Sequence, residues 1–70
     1  MKVKDILTKT NVWTHVKIRD LKNTNEDIIS DLLININSKK DWFIDSLYEQ
    51  YVCAIQVIDN ALILTIIIEG

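Results

Sequence analysis

The chain has 70 residues, 49% hydrophobic and 26% charged, and its 8 basic and 10 acidic side chains leave a net charge of −2. That length is one domain, residues 1–70, with a thin stability margin, because so short a chain buries only about 60% of its unfolded surface. One Cys, one His, no Pro and one Gly, the terminal Gly70, exclude an internal disulfide, a cysteine-based metal centre and a phosphate-cradling glycine loop, and the balanced charge argues against a general affinity for nucleic acid.

The opening Met1-Lys2-Val3-Lys4-Asp5 lacks the apolar stretch and small-residue cleavage site of a signal peptide. Val3, Ile6 and Leu7 fall at i, i+3 and i+4, which predicts a short helix from Val3 to Lys9. Val12, Thr14, Val16 and Ile18 then alternate with Trp13, His15, Lys17 and Arg19. That period of two predicts a half-buried strand with the first set facing inward.

Asp20 to Asp27 is polar and rich in turn formers, and is expected to be a loop. Ile28 to Ile36 carries two patterns. Ile28, Ile29, Leu32, Leu33 and Ile36 fit one face of a helix, with Asn25 as its cap. Leu32, Ile34 and Ile36 alternating with Leu33, Asn35 and Asn37 fit a strand, and the β-branched isoleucines favour the strand. Ser38 reads as the cap of a main helix running from Lys39 to Gln50, with Asp41 three positions on. Phe43, Leu47, Ile44 and Tyr48 would form its apolar stripe, and Asp41, Asp45 and Glu49 its solvated side. Trp42 is expected to pack.

Tyr51 to Ile58 and Ala61 to Ile68 are apolar runs separated by Asp59-Asn60, a pair that favours a two-residue type I′ hairpin. Opposed residues would then have numbers summing to about 119 in that turn geometry. Tyr51, Cys53, Ile55, Val57, Leu62, Leu64, Ile66 and Ile68 would share the core face. Val52, Ala54, Gln56, Ile58, Ala61, Ile63, Thr65 and Ile67 would share the other. The apolar run is far shorter than the roughly 20 residues of a membrane-spanning helix, so a soluble, cytoplasmic protein is expected.

The chemistry-bearing side chains do not assemble into a catalytic set. Cys53 is expected in the core, where a thiol is inert, and His15 on the outside of another strand. Ser30, Ser38 and Ser46 are the candidates for a hydroxyl nucleophile. Asn23, Asn25 and Asp27 have the spacing that opens a calcium loop, but the turn glycine is missing and Ile34 stands where the bidentate Glu belongs. Asp41, Asp45 and Glu49 lie on one solvated helix face, without the contrasting environments that acid–base work requires.

The segments Val3-Lys4-Asp5-Ile6-Leu7, Val16-Lys17-Ile18-Arg19-Asp20 and Ile55-Gln56-Val57-Ile58-Asp59-Asn60-Ala61-Leu62-Ile63-Leu64 resemble a loose group of small phage, prophage and mobile-element proteins of Firmicutes-type bacteria. The resemblance leaves out Leu21 to Lys40, where the group's glycine-containing second strand is missing. It implies a context, that of an accessory protein inside a bacterial cell, and transfers no functional residue.

The expected architecture is α+β: a small antiparallel sheet of three or four strands ending in a β-hairpin, the main helix across one face, and a short N-terminal helix. Four large aliphatic residues on the second hairpin face exceed what a solvated face needs. The expected function is therefore a non-enzymatic protein-interaction module that self-associates or binds a host protein through its sheet. Val52, Gln56, Ile58, Ile63 and Ile67 would carry it, with Gln56 setting register. No cofactor or small-molecule ligand is expected. The alternative is a nucleic-acid-binding regulator using Trp13, His15, Lys17 and Arg19, an aromatic beside cations on one strand. A further variant, an inhibitor of a host defence enzyme, rests on the resemblance alone.

Overall fold

The elements of the computed structural model, which describes residues 1–39, 41–58 and 62–69, run in the order α1 (Val3–Leu7), β1 (His15–Asp20), β2 (Asn23–Leu32), α2 (Leu33–Ser38), α3 (Trp42–Tyr48), β3 (Val52–Ile58) and β4 (Ile63–Ile68). The strands form one sheet in the order β2-β1-β4-β3. β1/β2 and β3/β4 are antiparallel, but the two central strands β1 and β4 run parallel. The sheet is therefore mixed, not antiparallel throughout. Parallel neighbours need a long crossover, and here the chain passes from β2 through α2 and α3 to reach the far edge at β3.

The N-terminal helix begins where expected, with the Asp5 carboxylate accepting from the Lys2 N–H at 3.0 Å. Strand β1 starts later than the alternation indicates. Asn11 forms a turn in which its side-chain oxygen accepts from Trp13 N–H (2.9 Å) and its carbonyl from Thr14 N–H (3.0 Å). Val12 and Trp13 sit in that turn and are exposed, so Val12 does not face inward. Asn competing for local backbone donors outweighs a period-two pattern only two residues long. Thr14, Val16 and Ile18 are buried as expected.

The Asp20–Asp27 loop is not formed. The chain turns at Leu21-Lys22, where Asp20 Oδ1 accepts from Lys22 N–H at 2.8 Å, and Asn23 is already paired with Asp20. Asn23 to Asp27 form the exposed first half of edge strand β2, so they need no apolar alternation. Ile28 to Ile36 divides between strand and helix, but neither pattern holds as drawn. The Leu32–Asn37 alternation read as strand lies almost wholly in α2, and the first half of the helix face lies in β2. Asn25 sits in β2 and caps nothing, Leu32 holding the N-cap position. The strand stops at Leu32 and α2 starts at Leu33, with Leu33 and Ile36 buried three apart.

The main helix is shorter than its expected span, and its cap is Asp41. The Asp41 side chain accepts from Ile44 N–H at 2.9 Å, while Ser38 ends α2 and donates to the Ile34 carbonyl. Ile44, Leu47 and Tyr48 are buried; Phe43 and Trp42 face outward, edge to face with ring centroids 6.0 Å apart. Trp42 is 81% exposed and does not pack into the core.

One core joins the helices to the sheet: Val3, Leu7, Leu33, Ile36, Ile44, Leu47 and Tyr48 against Val16, Ile18, Leu64, Ile66 and Ile68. Every strand residue in that set is even-numbered, which places all three helices on one face of the sheet. The buried apolar area there is the dominant favourable term in so small a fold.

Candidate interaction surface

Strand register fixes what lies on the other face. β1 and β4 pair His15 with Ile63, Lys17 with Thr65 and Arg19 with Ile67, and β4 and β3 pair Ile63 with Ile58, Thr65 with Gln56 and Ile67 with Ala54. Residues directly paired across strands share a face. The aliphatic patch Gln56, Ile58, Ile63 and Ile67 and the basic row His15, Lys17 and Arg19, two separate surfaces in the sequence reading, are one continuous surface. Trp13 is not part of the β1 row, since it belongs to the turn before the strand.

The charges on this surface are largely spent locally. Arg19 Nε donates to the Asp27 carboxylate, and His15 Nε2 lies 2.8 Å from Ser30 Oγ. Lys17, at the centre, has no carboxylate partner among the described residues. Thr65 is only 3% exposed although no helix covers it; Lys17 and Gln56 flank it across the strands and Ile63 and Ile67 along its own.

The hairpin's expected core face is buried on β4 and not on β3. Leu64, Ile66 and Ile68 are buried, but Tyr51, Cys53, Ile55, Val57 and Leu62 are exposed. Two observations account for this. β3 is the edge strand, beyond the reach of the short helices. The pairing also skips a residue between Val52↔Ile68 and Ala54↔Ile67, leaving Cys53 as an unpaired bulge. A bulge shifts the side-chain alternation on its strand, so Val52 packs against the core and not on the open face. The register itself is displaced by two from the expected sum. Ile58 pairs with Ile63, which leaves four residues between them instead of two; the Asp59-Asn60 turn lies outside the described residues.

The free edge of β3 can be read from neighbouring hydrogen bonds. His15 N–H donates to the Leu62 carbonyl (3.0 Å) and Leu21 N–H to the Ile68 carbonyl (2.8 Å). Even-numbered β4 residues thus direct their backbone groups to β1, and odd-numbered ones to β3, where register meets them with Ala54, Gln56 and Ile58. Ile55 and Val57 are left with N–H and C=O pointing away from the sheet. Past the bulge the alternation reverses, and Val52 N–H points outward to the Met1 carbonyl at 2.9 Å. The Lys2↔Tyr51 bridge therefore covers the start of this edge and stops there.

The two sheet edges differ in composition. β2 carries Glu26, Asp27 and Asp31; β3, Val52-Cys53-Ala54-Ile55-Gln56-Val57-Ile58, carries no charge at all. Charges are a usual way to block an edge from pairing with another chain. The signal for the bare edge is present in the sequence as seven uncharged residues, but the same alternation that marks a core face runs through Ile55 and Val57.

On the helical side, Lys2 and Lys4 hold Glu49 at 2.8 and 2.9 Å, and hydrogen bonds from these lysines keep the Glu49 carboxyl down at about 2. Asp31 is also held below the carboxylate range, first by the Asn35 amide and then by Leu32 N–H. A shallow groove of about 620 Å³ is lined by Leu7, Thr8, Asn37 and Tyr48 among others. Burial pushes the Tyr48 hydroxyl up, and that hydroxyl donates to Asn37 Oδ1 at 2.6 Å. The groove's charged rim is Lys4, Glu49 and Asp45, of which Lys4 and Glu49 are paired with each other. No described helix is long and apolar enough to cross a membrane.

Compared with known protein families, curated proteins and solved structures, the chain matches none.

Proposed function

We propose that this protein is a non-enzymatic protein-interaction module that docks through the β3 side of its sheet. The observation that carries this reading is β3 itself: an uncharged strand at the sheet edge, exposed from Cys53 to Ile58, continuous with the open face that holds Ile58, Ile63 and Ile67. Extended peptides add to such edges through main-chain bonds, and alternate side chains give specificity. Gln56 supplies the polar group of the surface, and the aliphatic residues supply burial. The resemblance to phage and mobile-element proteins supports a bacterial cytoplasmic setting, in which the partner is a second copy or a host protein such as a defence enzyme.

Nucleic-acid binding is the weaker reading. Arg19 is neutralised by Asp27, His15 is engaged by Ser30, and Trp13 is off the strand, which leaves Lys17 alone on the open face. Oligonucleotide binding that quenches tryptophan fluorescence and weakens steeply with salt would favour it over the protein-interaction reading.

The test is a photo-crosslinking amino acid placed at Ile58 and, as a control, at Ser46 on the exposed side of α3. Crosslinks to a protein, whether a second copy or a host component, are expected from position 58 and not from 46. Equal yields, or none from 58, would overturn the assignment of this surface.

A further inference from the structure

We infer that the occupant of the β3 edge is β3 of a second copy, paired antiparallel about a two-fold axis that passes through Gln56. The inference rests on the interaction-module reading and commits it to one partner and one register. Three features select self-pairing. The outward backbone groups are those of Ile55 and Val57, symmetric about Gln56. An antiparallel two-fold can therefore satisfy all of them at once, Ile55 exchanging N–H···O bonds with the partner's Val57 and Val57 with the partner's Ile55. No charge on β3 opposes its own copy, whereas the acidic β2 edge would repel itself. The Met1–Lys2 segment that pairs with Tyr51 and Val52 also ends the available edge on one side, which excludes registers that would lay the partner strand along Tyr51 and Val52.

Side chains agree with that register. On the helical face Ile55 and Val57, 46% and 57% exposed, would each meet the other residue of the partner, burying apolar surface that the monomer leaves wet. On the open face Ala54 would lie opposite the partner's Ile58, a small residue against a large one. The two Gln56 side chains would meet on the axis in a non-hydrogen-bonded pair, with Cα atoms about 4.5 Å apart, and their amides can donate and accept reciprocally. The two sheets become one continuous sheet whose outer edges are the charged β2 strands, which stops growth at the dimer.

The first measurement is mass in solution against concentration, by light scattering and sedimentation equilibrium. Twice the 8.1 kDa chain is expected at high concentration, and a monomer at every concentration would overturn the inference. Two substitutions test the geometry. Val57→Pro removes an N–H that faces away from the sheet, which an edge strand tolerates; loss of the dimer with unchanged circular dichroism is expected. Since that variant can fail by misfolding, register is tested separately by oxidising two double variants, Cys53→Ser with Gln56→Cys and Cys53→Ser with Ile58→Cys. The first places thiols on the axis, inside the Cα separation a disulfide spans, and should yield a covalent dimer rapidly; the second should not. A covalent dimer from the second alone would overturn the register. If the chain stays monomeric while the crosslinker at Ile58 still captures a different protein, self-pairing fails and the interaction-module reading survives.

Discussion

Ile55 and Ile66 are directly opposed across β3 and β4, carry the same side chain, and differ only in what covers them: Ile66 is fully buried and Ile55 is 46% exposed. Truncating each to alanine separates the two layers of this fold. Ile66→Ala removes buried carbons from beneath the helices and leaves a cavity, a loss of about 2–5 kcal/mol. Ile55→Ala forfeits about half of the transfer energy of the same carbons, and solvent fills the space, so its cost is about 1 kcal/mol. For a chain of this length total stability is about 3.5–10 kcal/mol, so Ile66→Ala uses a large share of it. At about 4–8 °C per kcal/mol, Ile66→Ala should lower the melting temperature by at least about 8 °C and Ile55→Ala by no more than about half the Ile66→Ala loss. The assay is thermal denaturation followed by circular dichroism, at the lowest readable protein concentration so that association contributes least. Equal losses from the two variants at that concentration would refute the reasoning, because something would then have to cover Ile55 within the monomer.

Asp41→Ala should cost about 0.5–2 kcal/mol as a lost helix cap, and Ser38→Ala distinctly less, since Ser38 bonds back to Ile34; paired urea titrations measure both. Glu49 sits near 2 in the folded chain against an ordinary 4.5, so its contribution is complete above about pH 4.5 and is lost as pH falls from there towards 2. Acid titrations of wild type and Glu49→Gln should show a shallower fall for the variant in that window, and added salt should narrow the difference, because the side chain is 54% exposed. Cys53, exposed at the bulge, should react with a thiol reagent in the native protein without prior unfolding, at a rate that urea barely changes.

Most elements of the fold are legible in the sequence, and several of the errors share a cause. Periodicity reports burial, and it reads well where one face of an element is truly covered: Val16 and Ile18, Leu64 to Ile68, Val3 and Leu7. It fails at edges. Asn23 to Asp27 look like a loop because an edge strand with both faces wet needs no apolar residue. Cys53, Ile55 and Val57 look like core because an uncharged edge strand resembles a buried strand in composition. The parallel pairing of β1 with β4 is not a local property at all, since each strand's own pattern is the same whichever neighbour it takes.

The bulge at Cys53 shows how one residue separates a correct pattern from a correct surface. Val52, Gln56 and Ile58 share parity, and parity alone places them on one face. A single unpaired residue rotates everything before it by one step, sending Val52 to the core while Gln56 and Ile58 keep the open side. The same step turns the Val52 N–H outward, where Met1 accepts it, and leaves Ile55 and Val57 as the outward groups further on. Without the bulge, Val52 N–H would point at β4 and the N-terminal segment would have no donor to meet on this edge. The residue that hides the placement of Val52 from the sequence is thus the one that lets the N-terminal segment cap the start of the β3 edge.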